Sequence, residues 1–216
     1  MSTNIKKIIV TGIRSLLATD NDFFNISQII YQIIVKQDSS LDFCIVLVSI
    51  QSIKIDIEII LEGDNSSCNI IFLYALAADQ SIKVTTQQRH TGRQTKSLIV
   101  ARGIVKDAVC VHHEGLISIA SQAAQSDAVF KHTAIVLDGK AQVTFIPSIE
   151  VLNYDVQCSH GAAVGQFDQQ HIWYLKSRGC DEIQTYHLLA RSFFQEYIAS
   201  FDQSEKILES LCQKII

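Results

Sequence analysis

Residues 97–153 carry a train of short apolar pieces: SLIVARG (97–103), DAVCVHHEG (107–115), LISIAS (116–121), AVFKHTAIVLDG (128–139), AQVTFI (141–146) and SIEVLN (148–153). Gly, Asp, Asn and Ser punctuate them. Short strands this closely spaced, with no helical insert, specify an all-β sandwich, a barrel or a solenoid. The spacing is tight and even, and most pieces put two or three apolar residues on one face. Stacked rungs around a shared core produce that pattern, so a β-helix is expected over a sandwich.

Upstream, SIKIDIEIIL (52–61) alternates sharply: Ile53, Ile55, Ile57 and Ile59 face one way, and Lys54, Asp56 and Glu58 the other. This is the period of a strand with one buried face. EGDNSS (62–67) is turn chemistry. Residues 1–40 are ambiguous, because isoleucine-rich NDFFNISQIIYQIIV (21–35) suits either a helix capped by Asn21 or Asp22 or a pair of short strands. Downstream the character changes at Phe167. DQQHIWYLKSRG (168–179) ends in glycine, as helices do. Asp181 is a good N-cap for a second helix with Ile183, Leu188, Leu189, Phe193, Phe194 and Ile198 near helical spacing. SEKILESLCQKII (204–216) reads as a third, with Ser204 as its cap. The expected organisation is an N-terminal segment of uncertain structure (1–40), a β-helix core (41–167) and a C-terminal helical segment (168–216).

Composition narrows the function classes. The chain has 216 residues and a net charge of −4, with no basic stripe, so nothing favours nucleic acid. Apolar runs are interrupted every few residues, which argues against a membrane helix. The start, MSTNIKKIIVTGI, does not read as a signal peptide. Six cysteines are scattered without a C-x-x-C pair, against a disulfide framework or zinc knuckle, so a reducing cytoplasm is expected. There is no G-x-x-x-x-G-K-[ST] and no G-x-S-x-G. No hexapeptide repeat suggests a β-helix acyltransferase, and the dispersed acids do not suggest a carbohydrate-active β-helix enzyme. No enzyme activity is expected.

One run combines potential ligands. VQCSHGAAVGQF (156–167) puts Cys158 and His160 two residues apart in a candidate strand, hence on one face, with Ser159 on the other. Thiolate and imidazole together suit a soft or borderline metal. Cysteine is also a common small buried hydrophobe. His112 and His113 are adjacent and must face opposite ways, one solvated and one packed. His90, in a turn, reads as structural.

The stretch from Glu62 to Phe194 resembles the SufB/SufD family, scaffold components of the SUF iron–sulfur cluster assembly machinery. The residues that carry the resemblance are RHTGRQTKS (89–97), the G-x-I-x-I of Gly115–Ile119, PSIEV (147–151), CSHGAAVGQ (158–166) and YLKSRG (174–179). C-S-H-G is SufD-like. SufB proteins have an acidic-His-acidic pattern there, with glutamate where Gly161 stands, and an acceptor cysteine on a preceding rung near His132. The resemblance implies a right-handed parallel β-helix followed by helices, in a family whose members are longer and carry an N-terminal helical domain. It implies His160 as the histidine tied to iron, with Cys158 beside it. His132 is either a further nitrogen ligand or a surface histidine on a strand edge. No tightly bound cofactor is implied, only transient iron or an Fe–S cluster shared with a partner. That partner is a SufB-like subunit or, in a homodimer, a second copy. A SufC-like ATPase docks on the helices, through residues among Tyr186, Leu189, Arg191, Phe193 and Phe194, beside the aromatic pair Trp173 and Tyr174. The alternatives are a self-associating structural β-helix and a carbohydrate-active β-helix enzyme.

Overall fold

A computed structural model describes every residue except Met1, Phe24, Asp202 and Ile216. Met1 and Phe24 belong to the ambiguous N-terminal stretch and Ile216 closes the third expected helix, so those readings lie outside the described residues. The strands, in chain order, are β1 (Ser2–Val10), β2 (Ile13–Ala18), β3 (Ile26–Val35), β4 (Ser40–Leu47), β5 (Ser52–Leu61), β6 (Ser67–Leu76), β7 (Ser81–His90), β8 (Lys96–Val105), β9 (Cys110–Ile119), β10 (Ser126–Val136), β11 (Gln142–Val151) and β12 (Val156–Gly165). Odd strands pair with odd and even with even, all parallel, in two six-stranded sheets ordered β1-β3-β5-β7-β9-β11 and β12-β10-β8-β6-β4-β2. Two strands make one coil, and six coils stack into a β-solenoid, as the apolar train leads one to expect. Paired residues are between 24 apart (Ser2 and Ile26) and 32 apart (His113 and Phe145).

The strands are longer than the short pieces suggested. Gly115 and Pro147 lie inside β9 and β11 and do not end them. Gly115 leaves room for a ring: a Cβ there would lie 3.0 Å from the Phe130 side chain. Pro147 is tolerated because β11 is an edge strand, where a missing N–H removes no ladder bond. The N-terminal stretch also resolves. Residues 26–35 form a strand preceded by a short 3-10 turn over Asp20–Phe23, so the solenoid takes in β1, β2 and β3. Ile29, Tyr31, Ile33 and Val35, apolar or aromatic at every second position, favour the pleat once neighbouring strands can cover them.

The main core fills the space between the sheets. Ile53, Ile55, Ile57, Ile59 and Leu61 all point into it, and each such fully buried side chain contributes about 1.5–3 kcal/mol. The corners before β4, β6, β8 and β10 repeat one device. Asp38, Asn65, Gln94 and Gln125 have positive φ, and each is followed by a buried hydroxyl: Ser39, Ser66, Thr95, Ser126.

Three helices follow the solenoid: α1 (Gln169–Ser177), α2 (Glu182–Ile198) and α3 (Ser204–Ile215). Asp168 caps α1, Gly179 follows it with φ +92°, and Asp181 with Gln184 forms a capping box on α2. Ser204 is the first helical residue of α3 and not its cap. The helices cover the outer face of the even sheet. Ala190, Phe194, Ile198, Leu208 and Leu211 pack on Cys44, Val46, Leu73, Ala75 and Ile104 in a second core. Among the described residues no helix is long and apolar enough to cross a membrane.

Candidate functional site

β11 and β12 are the last strands of their sheets, so one side of the terminal coil has no further rung above it. Residues paired in a parallel ladder point the same way. Cys158 pairs with Ala128 and His160 with Phe130, both interior residues of β10. Cys158 and His160 therefore face the solenoid axis from its open end. Cys158 is half-buried against the main core, and His160 is exposed. Burial, with the Asp127 carboxylate nearby, raises the Cys158 thiol above its ordinary value, so the free thiol is protonated at neutral pH. Ser159 and Gly161 point outward, where a Cβ at Gly161 would meet nothing within 4 Å. Among the described residues no group of three or more His, Cys, Asp or Glu side chains forms a metal-sized cluster. Cys158 and His160 can supply two donors, and further ligands must come from elsewhere.

Directly beneath lies a polar row that the sequence did not reveal. His132 is 1% exposed, inside the solenoid and not on a surface edge. It occupies an interior register position of β10, and both ring nitrogens are engaged: Nε2 lies 2.8 Å from the Tyr74 hydroxyl and Nδ1 lies 2.9 Å from Nδ1 of His113. His113 Nε2 in turn lies 3.2 Å from Thr86 Oγ1. Facing Nδ1 atoms require one donor and one acceptor. A phenol oxygen is a poorer acceptor than an aliphatic hydroxyl, so with Tyr74 at one end of the row and Thr86 at the other the direction assigned is donation from the phenol to His132 Nε2. His132 then donates through Nδ1–H to His113, and His113 through Nε2–H to Thr86. Burial, reinforced by the neighbouring imidazole of the row, holds His132 well below the usual histidine value, and burial takes His113 down to about 3. Both are neutral at physiological pH. Tyr74 reaches His132 only because Gly103 intervenes: a Cβ there would sit 1.9 Å from the Tyr74 ring. Above, the Phe145 ring of the terminal coil stacks on His132 at 3.6 Å between centroids and 22° between planes.

Two further histidines of the solenoid have partners of their own. His90 is buried, with Nδ1 2.7 Å from Thr95 Oγ1 and Nε2 2.7 Å from Ser97 Oγ, and burial lowers it to about 4. His112 faces outward, 2.6 Å from Glu114, while its neighbour His113 is the packed one.

In the tail, Phe194 is fully buried in the second core and is not a surface for any partner. It lies on the helix face turned to the sheet, a distinction spacing alone does not make. Phe193 is part-buried, with the Arg102 guanidinium 4.7 Å from its ring centroid and 4.7 Å from that of Tyr197. Arg191 pairs with Glu205 at 2.7 Å, and Tyr186 and Leu189 are half-buried. The exposed apolar side chains are Trp173, Tyr174, Ile183 and Leu188.

Residues 15–193 match the family model described as SUF system FeS cluster assembly, SufBD core domain. The chain is 29% identical over 136 residues to iron-sulfur cluster assembly protein SufD of Escherichia coli (strain K12), covering 63% of this chain and 32% of that protein. It is 22% identical over 138 residues to SufB of Bacillus subtilis (strain 168), covering 64% and 30%. To SufD of the same organism it is 28% identical over 115 residues, covering 53% and 26%. The matched region spans about a third of the length of these curated relatives.

Proposed function

The chain belongs to the SufBD core-domain family of the SUF iron–sulfur cluster assembly system, and from that premise we propose that it is a SufD-type scaffold subunit. Its cargo is iron or a nascent cluster, held transiently between subunits. The observation that carries this reading is the pair Cys158 and His160, facing the axis at the uncovered end of the solenoid, with no cluster of three or more His, Cys, Asp or Glu among the described residues to complete a metal site. Imidazole and thiolate suit iron, and binding displaces the thiol proton. A SufB-type partner supplies the remaining ligands. It docks along the terminal coil, where Ile149, Val151, Leu152 and Val164 are exposed. A SufC-type ATPase docks on the tail through Trp173, Tyr174, Ile183 and Leu188, an apolar set that otherwise faces water. In this reading the subunit positions and transmits and catalyses nothing itself.

The test is co-expression with SufB and SufC, anaerobic purification and iron titration, for the wild type and His160→Ala. We expect both partners to co-purify with either form and iron binding to depend on His160. A chain that captures neither partner sinks the scaffold reading. The exposed edge of the terminal coil also supports a second reading, self-association as a purely structural solenoid. A homodimer with no His160-dependent iron would establish it.

A further inference from the structure

The polar row beneath the terminal coil does more than fill space, because its central member His132 carries the Phe145 ring of the coil that bears the candidate ligands. Phe145 pairs with His113 in the odd sheet. His113 stands across the lumen from Phe130 and His132, at ring separations of 5.0 and 4.9 Å. One coil higher, Phe145 therefore stands across from their partners on β12, His160 and Ala162. Ala162 is small, and Phe145 leans past it to stack on His132. On β11 and β12, Val143, Phe145, Val156 and Cys158 pack against the core. Of these, only Phe145 rests on a ring whose orientation is set by hydrogen bonds at both nitrogens.

We propose that His132 is a positioning residue for the Cys158–His160 face, acting through Phe145. Tyr74 and His113 fix the plane of the His132 imidazole, that plane fixes the Phe145 ring, and the ring holds the wall opposite His160. The inference rests on the metal-sharing reading for its consequence but not for its geometry, so two readouts are needed. The first is metal-free: the rate of Cys158 alkylation by iodoacetamide in the full chain, resolved from Cys110 and Cys180 by peptide mass spectrometry. The second is Co(II) binding, followed by its thiolate and ligand-field absorption.

His132→Phe keeps a flat ring but loses both hydrogen bonds. We expect Cys158 alkylation to accelerate at least threefold, Cys110 to react at the wild-type rate, and Co(II) affinity to fall at least fivefold. Tyr74→Phe should move both readouts the same way by less. His132→Gln, whose amide can accept from Tyr74 and donate to His113, should recover part of the change. Ile55→Val, a core substitution several coils away, should move neither. A folded His132→Phe protein with wild-type Cys158 reactivity overturns the proposal. If His132→Phe does not fold, Tyr74→Phe decides by the same measure. If the wild type, co-purified with its SufB-type partner, shows no His160-dependent Co(II) spectrum, the metal-sharing reading falls while the alkylation rates still decide the positioning role.

Discussion

His132 and His160 sit on neighbouring strands of one sheet, face the same axis, and differ in everything that decides chemistry. His132 is covered by the terminal coil, bonded at both nitrogens and held neutral by burial. His160 occupies the next rung, has nothing above it and is exposed. In a solenoid the same interior-facing position is a core residue or a candidate ligand according to whether another coil follows. The sharpest way to break this contrast is acid. Burial lowers His90 to about 4, His113 to about 3 and His132 well below the ordinary 6.5. The unfolded chain takes up protons near 6.5 and the folded chain does not. Stability is therefore intact above that pH and falls as pH drops through it, until the folded values are reached. Each histidine costs about 1.4 kcal/mol per pH unit in that window, so His90 and His113 together cost roughly 4 kcal/mol at pH 5 relative to pH 7.5, and His132 adds to the loss in the same direction. Urea unfolding at the two pH values measures this. A flat profile would mean that water reaches the interior row.

The tail repeats the contrast between covered and uncovered. Phe194 and Trp173 are both large aromatics on amphipathic helices, but Phe194 is sealed against the even sheet and Trp173 is 67% exposed. Phe194→Ala should cost about 4 kcal/mol through the cavity it leaves. Trp173→Ala should stay within about 0.5 kcal/mol and act on partner capture instead. Thermal unfolding alongside pull-down with a SufC-type ATPase separates the two effects. Equal stability losses would mean that α1 is anchored more firmly than its exposure implies.

Much of this architecture is legible in the chain. The isoleucine alternation of β5, the Asp181 cap and the β-helix itself can all be read directly, because each depends on residues close in sequence. Other features depend on contacts about 30 residues away. The pieces around Gly115 and Pro147 look like separate strands until one sees that a ring fills the first position and a free sheet edge tolerates the second. Residues 1–40 look ambiguous because neighbouring coils, not local propensity, make them strands. His132 looks like a surface residue because Tyr74, 58 positions earlier, is invisible as its partner. One signal was available: a Gly at 103, inside a strand that also holds Ile99, Val100, Ile104 and Val105, marks a close approach. At the candidate site the C-x-H spacing gave the shared face correctly, but nothing local says which rung is last.

The interior row can be tested without touching a histidine. Tyr74→Phe removes the hydroxyl that donates to His132 Nε2 and leaves that nitrogen unpaired in a dry core. A buried polar atom without a partner costs about 1–3 kcal/mol. We expect a loss of about 2 kcal/mol by urea unfolding at pH 7.5. Nitrogen-15 NMR of the imidazoles should show His132 as the Nδ1–H tautomer and His113 as the Nε2–H tautomer in the wild type. The opposite assignment would reverse the direction of the row, with Thr86 as its first donor.

The smallest expected effect on stability belongs to the residue expected to matter most for function. His160 has no coil above it, so His160→Ala removes little packing and should change unfolding free energy by no more than about 0.5 kcal/mol in metal-free buffer. The difference should appear only when metal is present. A ligand that binds the folded state alone stabilises it by RT ln(1 + [L]/Kd), about 2.7 kcal/mol at a hundredfold excess over Kd. Titrating Co(II) into the wild type should raise the unfolding midpoint in that manner, and His160→Ala should abolish the rise. A substantial loss of stability in metal-free His160→Ala would instead show that the imidazole packs into the terminal coil. The distinction between the covered and the uncovered rung would then fail at its clearest point.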